Sequence, residues 1–294
     1  MRPGRAEDLP AIVELWRADV AAGRRDSMPR RAHVDLLADR FDWPARSRVV
    51  PGSEDELAGA VLASAYPSPD GPLAQLEISA KSPAVMEDLA RWGVGLSRAA
   101  GAVAVLVWTG RGHGEPLRSV GLQPTRPWWR MDRDLQDGVP ERQAVDGYRL
   151  IDGRDAARGS WADMHNRSFA DHWRFSYRAE DELVGGKSPA LCLMAMSAGG
   201  EPAAITLCEV ERLDSDSRPQ PVGLIRSVGT VPQHRRRGLA TWLVSEALVR
   251  LRAAGARHAS LYVDALNPTH APNAYRKLGF DVAFESEVWE ATFP

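Results

Sequence analysis

The stretch Val228–Leu251, VGTVPQHRRRGLATWLVSEALVRL, constrains the chain more than any other. Its first residues continue a β-branched and apolar run that starts at Leu224, which suits a strand. Pro232 ends strand pairing because it has no N–H to donate. Leu239, Trp242, Leu243, Leu248 and Leu251 then recur near helical spacing and predict one apolar helix face. Gly255 supplies the helix stop. Between strand and helix lies a tight basic loop, Arg235-Arg236-Arg237-Gly238-Leu239-Ala240.

That succession has a chemical consequence. The first N–H groups of a helix have no partner inside it, and the helix dipole adds roughly half a positive charge at the same end. Gly238 has no Cβ, so a bulky anion can approach the backbone. The loop therefore suits a phosphate or pyrophosphate. Neither G-x-x-x-x-G-K-[ST] nor G-x-G-x-x-G occurs, which excludes the Walker loop and the dinucleotide fingerprint. A basic helix start on a solvated surface, or a nucleic-acid patch, would use the same letters. The net charge of −2 over 294 residues argues against a general nucleic-acid binder. Lys81, Lys187 and Lys277 are the only lysines among 37 basic residues, a bias that reads as a GC-rich bacterial genome.

A 44% hydrophobic and 26% charged chain of this length can bury the cores of one large or two medium domains. The opening MRPGRAEDLP has no apolar signal core, and no apolar run approaches membrane-spanning length. The expected place is the cytoplasm, with no membrane partner. Cys192 and Cys208 flank Gly199-Gly200 almost symmetrically. In a hairpin over 190–209 they would lie across from each other, as two small buried thiols. No His/Cys ligand spacing is present, so no metal is expected.

Helices are predicted over the end of 2–20, over 31–41 and over 86–100. Strands are predicted near 46–50, 57–66 and 73–79, with a buried strand at 102–109. Residues 117–131 read as a short helix and two strand pieces. Asp132–Asp146 is polar, contains Gly138 and Pro140, and marks a domain boundary. The expected domains are 1–135 and 148–294, joined by a linker at 136–147. The second half repeats the order: helix at 156–169, strands near 190–198, 202–211 and 221–231, the long helix, a strand at 257–264, a short helix at 272–278 and a strand near 281–292. The letters repeat too. Arg98-Ala99-Ala100-Gly101-Ala102 matches Arg252-Ala253-Ala254-Gly255-Ala256, and Leu117-Arg118-Ser119-Val120-Gly121-Leu122 parallels Tyr275-Arg276-Lys277-Leu278-Gly279-Phe280. Two matches at nearly one offset, with one element order, indicate duplication. The copies differ: the first has Ser79-Ala80-Lys81-Ser82-Pro83-Ala84 in place of the basic loop.

Three segments in order carry a family resemblance. The loop fits [RQ]-x-x-G-x-[GA]. Leu261-Tyr262-Val263-Asp264-Ala265-Leu266-Asn267-Pro268 reads as a strand and an Asn-containing turn. Ala274-Tyr275-Arg276-Lys277-Leu278-Gly279-Phe280 is close to an A-x-x-x-Y-x-x-x-G-F ending. Together they resemble the GNAT acetyltransferase superfamily, over 148–294 directly and over 2–131 as a divergent copy. The tandem layout, and Phe169-Ala170-Asp171-His172-Trp173, are similar to mycothiol synthase and related two-domain enzymes.

The resemblance implies an α/β fold of two tandem domains, each a mostly antiparallel twisted sheet flanked by helices. It also implies an N-acetyltransferase that takes acetyl-CoA and acts on a small-molecule amine, as a monomer or homodimer. Acetylation of a protein or peptide N-terminus, and a non-catalytic acyl-CoA-binding module, are the alternatives. The implied pyrophosphate site is Arg235, Arg236, Arg237, Gly238, Leu239 and Ala240. The pantetheine arm would lie along Val228, Gly229, Thr230 and Val231, with Asn267 nearby, though an Asn-Pro turn alone explains Asn267. Tyr275 is the implied acid for the leaving thiolate, against the reading of a core tyrosine. Relatives carry a glutamate on the strand before the loop. Here that place falls near Leu224, and strand 222–231 has no acid. Glu209 on the preceding strand is the candidate base, with His165, Asp171 and His172 as others. Phe169, His172, Trp173 and Phe175 are the candidate acceptor contacts, or else a plug on the core.

Overall fold

The computed structural model describes residues 1–53, 56–139, 144–212 and 220–294. They form two compact units. The first holds Met1–Trp128 and Phe284–Pro294; the second holds residues 129–212 and 220–283.

In the first unit, β1 (Arg2–Pro3) leads into α1 (Leu9–Ala21), α2 (Arg31–Arg40) and α3 (Trp43–Arg46). β2 (Ser47–Pro51), β3 (Leu57–Tyr66) and β4 (Leu73–Ala80) follow as an antiparallel meander. α4 (Pro83–Ala99) then crosses to β5 (Ala104–Gly110), which runs parallel to β4. β6 (Gln123–Asp134) starts in this unit and ends in the next. One face packs α4 through Leu89, Ala90 and Val94 against Val61, Leu76 and Val105. The other packs Ile12, Leu15 and Trp16 of α1 against Val49, Ala60 and Leu62. Removing each such Val, Leu or Ile side chain from water contributes roughly 1.5–3 kcal/mol.

The second unit carries β7 (Tyr148–Asp152), α5 (Ser160–Phe169), α6 (Glu180–Val184), β8 (Cys192–Ser197), β9 (Pro202–Glu211), β10 (Val222–Thr230), α7 (Leu239–Ala253), β11 (His258–Asp264) and α8 (Ala271–Lys277). β12 (Asp281–Thr292) closes the chain. The strand order is β6-β11-β10-β9-β8-β7, with β10 and β11 parallel. Leu239, Trp242, Leu243, Leu248 and Leu251 are all buried, so the predicted apolar stripe of α7 is its core face.

The duplication is visible in the backbone. Each unit contains a parallel pair beside antiparallel strands, β4 with β5 in one and β10 with β11 in the other. The pairing of β4 with β5 ends at Leu76↔Val107, and that of β10 with β11 ends at Ile225↔Leu261. In both units the two strands continue past that point, so their ends are unpaired with each other. Gly101 and Gly255, from the repeated RAAGA, both end a helix at positive φ (74° and 91°), and Gly121 and Gly279 do the same (91° and 78°).

Several expectations need correction. The two strand pieces at 117–131 are one twelve-residue strand, β6. β7 and α6 were not anticipated. The last strand pairs with β5 from Ser286↔Gly110 to Thr292↔Ala104, so residues 284–294 belong to the first unit and not with 148–283. Part of the expected linker, residues 140–143, lies outside the described residues. The cysteines do sit in a hairpin, but Cys192 faces Leu207 and not Cys208. Because strand side chains alternate, Cys192 joins the core under α5 while Cys208 joins the core under α7. Both are free thiols, and burial pushes both up, Cys192 to about 11.

Candidate active site

The basic loop has the conformation that an anion site needs. A helical turn at Pro232–His234 follows β10. Arg236 and Gly238 then take left-handed backbone angles, φ 64° and 84°, and α7 starts at Leu239. Left-handed φ favours glycine, and a Cβ on Gly238 would meet nothing nearer than Val145 at 3.9 Å. No side chain caps α7. Among the described residues, the backbone N–H groups of residues 236–241 have no acceptor; the first helical N–H that is bonded is Trp242, to the Gly238 carbonyl at 2.9 Å. Arg236, Arg237 and Gly238 are exposed, and Leu239 is buried, so Leu239 offers its backbone alone. Arg237 donates to the Tyr148 hydroxyl at 3.2 Å, and that hydroxyl is 2.8 Å from His234 Nδ1. Tyr148 was not anticipated, because strand β7 was not read from the sequence.

Arg235 is used differently from the expectation. Its N–H donates to the Pro232 carbonyl, and its guanidinium turns inward. The guanidinium donates to Asp171 at 2.5 and 2.8 Å, to the Ser168 carbonyl at 3.1 Å and to the Thr230 carbonyl at 3.1 Å. It ties the loop to the segment after α5. The Arg235 guanidinium is therefore held by protein acceptors.

β10 is paired on one side as far as Thr230↔Ala204, while its other side is unpaired with β11 beyond Ile225. Val228, Gly229 and Thr230 lie on that open length. Val231 does not: its N–H donates to the Ala203 carbonyl at 3.1 Å, and its side chain is in the core. Gly229 marks a close approach. A Cβ there would fall 2.8 Å from both the Phe169 ring and Ser168. Phe169 stacks on His165 (centroids 4.6 Å) and meets His172 edge-on at 4.7 Å. Phe169 and His172 thus cluster beside the open length of β10. Trp173 is partly buried, and Phe175 is buried edge-to-face with Tyr177 at 5.0 Å. Burial lowers the imidazoles of His165 and His172 below the usual histidine range, so both are neutral at pH 7.

Tyr275 lies on α8 with its ring in the core that also holds Leu239 and Phe280. Its hydroxyl makes no hydrogen bond among the described residues, and burial raises the phenol well above its ordinary range. The phenol therefore stays protonated at neutral pH. Asn267 accepts from the Thr269 N–H at 2.9 Å and the Thr269 hydroxyl at 2.5 Å. The Asn-Pro turn is real, and the amide nitrogen remains free to donate.

Glu209, the candidate base, lies in a cluster of charges. It faces Leu224 across the ladder and forms an ion pair with Arg226, while Lys187 Nζ stands 3.6 Å away. Arg226 occupies the irregularity between Ile225 and Ser227 that turns it toward β9. The carboxylate thus stands between two cations.

The matching place in the first unit is closed by its own chain. Gly110, at the end of β5, donates to the Arg24 carbonyl at 2.7 Å, and a Cβ there would fall 2.0 Å from the Gly23 oxygen. Arg25 pairs with Glu77 on β4 and lies over Trp16 at 5.1 Å. Burial pushes the Glu77 carboxyl up, but Arg25 and His33 more than offset this and hold it at about 2. The helix that follows β4 is capped from within: Ser82 Oγ accepts from the Val85 N–H.

The profile of the Acetyltransferase (GNAT) family matches residues 156–280. The mycothiol acetyltransferase of Thermobispora bispora is 29% identical, covering 95% of this chain and 93% of that protein. The mycothiol acetyltransferase of Kytococcus sedentarius is 27% identical over 94% of this chain and 92% of its own length. Among solved structures, a GCN5-related N-acetyltransferase from Sphaerobacter thermophilus superposes with a TM-score of 0.79 at 20% identity, covering 99% of this chain and 94% of that one. A tandem GNAT protein from the clavulanic acid biosynthesis pathway gives 0.66 at 18% identity, with 100% and 98% covered. The chain is an acetyltransferase that carries a GNAT domain at residues 156–280 on the fold of the tandem GNAT proteins.

Proposed function

We propose that the chain transfers an acetyl group from acetyl-CoA directly to the amine of a small-molecule acceptor, using one cofactor site, in the C-terminal half. The run of N–H groups at residues 236–241, unbonded among the described residues, carries this reading. That run would hold a pyrophosphate, because it combines free donors with the positive end of a fifteen-residue helix. Val228, Gly229 and Thr230 would meet the amides of the pantetheine arm, and the Asn267 amide nitrogen is available to the same arm. Bound there, acetyl-CoA would supply an activated acyl thioester. The Tyr275 phenol, neutral and unbonded, holds a proton for a departing thiolate.

Phe169, His172 and Trp173 would form the acceptor wall, apolar with polar edges. With Glu209 committed to Arg226 and Lys187, the neutral imidazoles of His165 and His172 are the proton acceptors that the acceptor segment supplies, directly or through water. The relatives named mycothiol acetyltransferases support a small acceptor. The first half contributes no second cofactor site, since Arg24 and Arg25 fill the place between its parallel strands and Ser82 caps its helix.

Incubation with acetyl-CoA and a panel of small amines and peptides, with free thiol measured, tests the proposal. Thiol release that depends on a small amine, together with the acetylated amine by mass spectrometry, is the expected result. Release driven only by peptides would move the acceptor to the peptide class. Tight CoA binding with no release for any amine would overturn the catalytic reading.

A further inference from the structure

We propose that Asp171 is a positioning residue: acting through Arg235, it joins the cofactor loop to the acceptor segment and passes order from one to the other. This rests on the reading of residues 236–241 as the cofactor site.

Arg235 is the first residue of that loop, yet its guanidinium bonds to acceptors on two other elements. Two bonds go to the Asp171 carboxylate and one to the Ser168 carbonyl, both at the end of α5; one goes to the Thr230 carbonyl at the end of β10. A planar guanidinium holding both carboxylate oxygens fixes orientation as well as distance, which an ammonium cannot do. Asp171 sits next to His172, whose N–H donates to the Phe169 carbonyl at 2.8 Å. The Phe169 ring in turn packs on Gly229. One continuous path therefore runs from the loop backbone, through Arg235 and Asp171, to the two rings beside the open edge of β10.

The exposure of the pair argues for positioning over bulk stability. The Asp171 side chain is 51% exposed and that of Arg235 22%. Ion pairs so exposed contribute little to global stability. Yet the loop they fix contains two left-handed residues, and among the described residues the N–H groups of 236–241 have no partner, so side-chain ties such as Arg235–Asp171 and Arg237–Tyr148 hold its shape. An anion that orders residues 236–241 also fixes Arg235, and through Asp171 it fixes residues 168–172. Asp171→Asn keeps the size of the side chain and removes its charge.

The test is amide hydrogen exchange on the full chain with and without CoA, for wild type, Asp171→Asn and Arg235→Lys, alongside steady-state acetyl-CoA kinetics once an amine is turned over. In wild type, CoA is expected to slow exchange in both 228–241 and 165–175. In Asp171→Asn and in Arg235→Lys, protection of 228–241 remains and protection of 165–175 falls severalfold, while thermal midpoints stay within a few degrees of wild type. Acceptor KM rises more than acetyl-CoA KM, with kcat less affected. Unchanged protection of 165–175 in Asp171→Asn, or protection of 228–241 alone in wild type, overturns the inference and leaves the cofactor site standing. No protection at 228–241 in wild type overturns the cofactor reading, and this inference with it.

Discussion

Glu77 and Arg226 hold equivalent places in the two units: each is the first residue after the last parallel pair, Leu76↔Val107 in one and Ile225↔Leu261 in the other. Their charges are opposite, and each is neutralised from another element, Glu77 by Arg25 and Arg226 by Glu209. Glu77 is held by Arg25 from the loop after α1, whereas Arg226 is held by Glu209 of the neighbouring strand β9. Duplication kept the strand geometry and let the chemistry of the position diverge.

The Glu77 pair makes stability depend on pH in a defined window. The folded carboxyl sits at about 2, below its ordinary value of 4.5. The unfolded chain therefore takes up the proton first as pH falls. The stabilisation is complete above pH 4.5 and disappears as pH drops toward 2. Denaturant titrations at intervals between pH 7 and pH 2.5 should show this loss in wild type and a flatter profile in Glu77→Gln. Equal slopes in the two proteins would remove Glu77 from the account.

Gly238→Ala isolates the backbone requirement of the loop. The Cβ meets open space, so the cost is that of left-handed φ for alanine, roughly 1 kcal/mol. The thermal midpoint should fall by about 2–4 °C, and affinity for CoA should weaken as the loop shifts. An unchanged midpoint would mean the loop does not hold this conformation in solution.

Tyr275→Phe removes a hydroxyl that has no partner among the described residues, so stability should change by less than about 0.5 kcal/mol. Turnover should fall on the order of 10²-fold with little change in CoA affinity. Since burial raises the phenol, wild-type turnover should show no loss from phenol ionisation below pH 10. A rate preserved in the variant would leave Tyr275 as a core residue.

The strand, loop and helix around residue 238 were legible because each uses a local rule: β-branched residues, a proline stop, a glycine and an apolar stripe. The same holds for Gly101, Gly121, Gly255 and Gly279, whose left-handed caps repeat with the letters. What escaped depends on distant partners. Arg235 reads as part of the basic loop, and the sequence does not show that its guanidinium bonds to Asp171, 64 residues earlier. Glu209 reads as a lone candidate base, and only the ladder shows that Arg226 stands beside it. Residues 117–131 read as a short helix and two strand pieces, yet β6 runs unbroken from Gln123 through Pro124 and Pro127, since strand preference depends on context more than on local letters. The departure of β12 to the first unit is set by its register with β5 and leaves no local trace.

Calorimetric titration of the full chain with CoA tests the central claim most directly: that the N-terminus of α7 is the single cofactor site. Wild type should bind one CoA per chain, and Gly238→Asp, which sets a carboxylate among the free N–H groups, should lose at least tenfold in affinity. Two equivalents of CoA per chain, or full-affinity binding to Gly238→Asp, would contradict it.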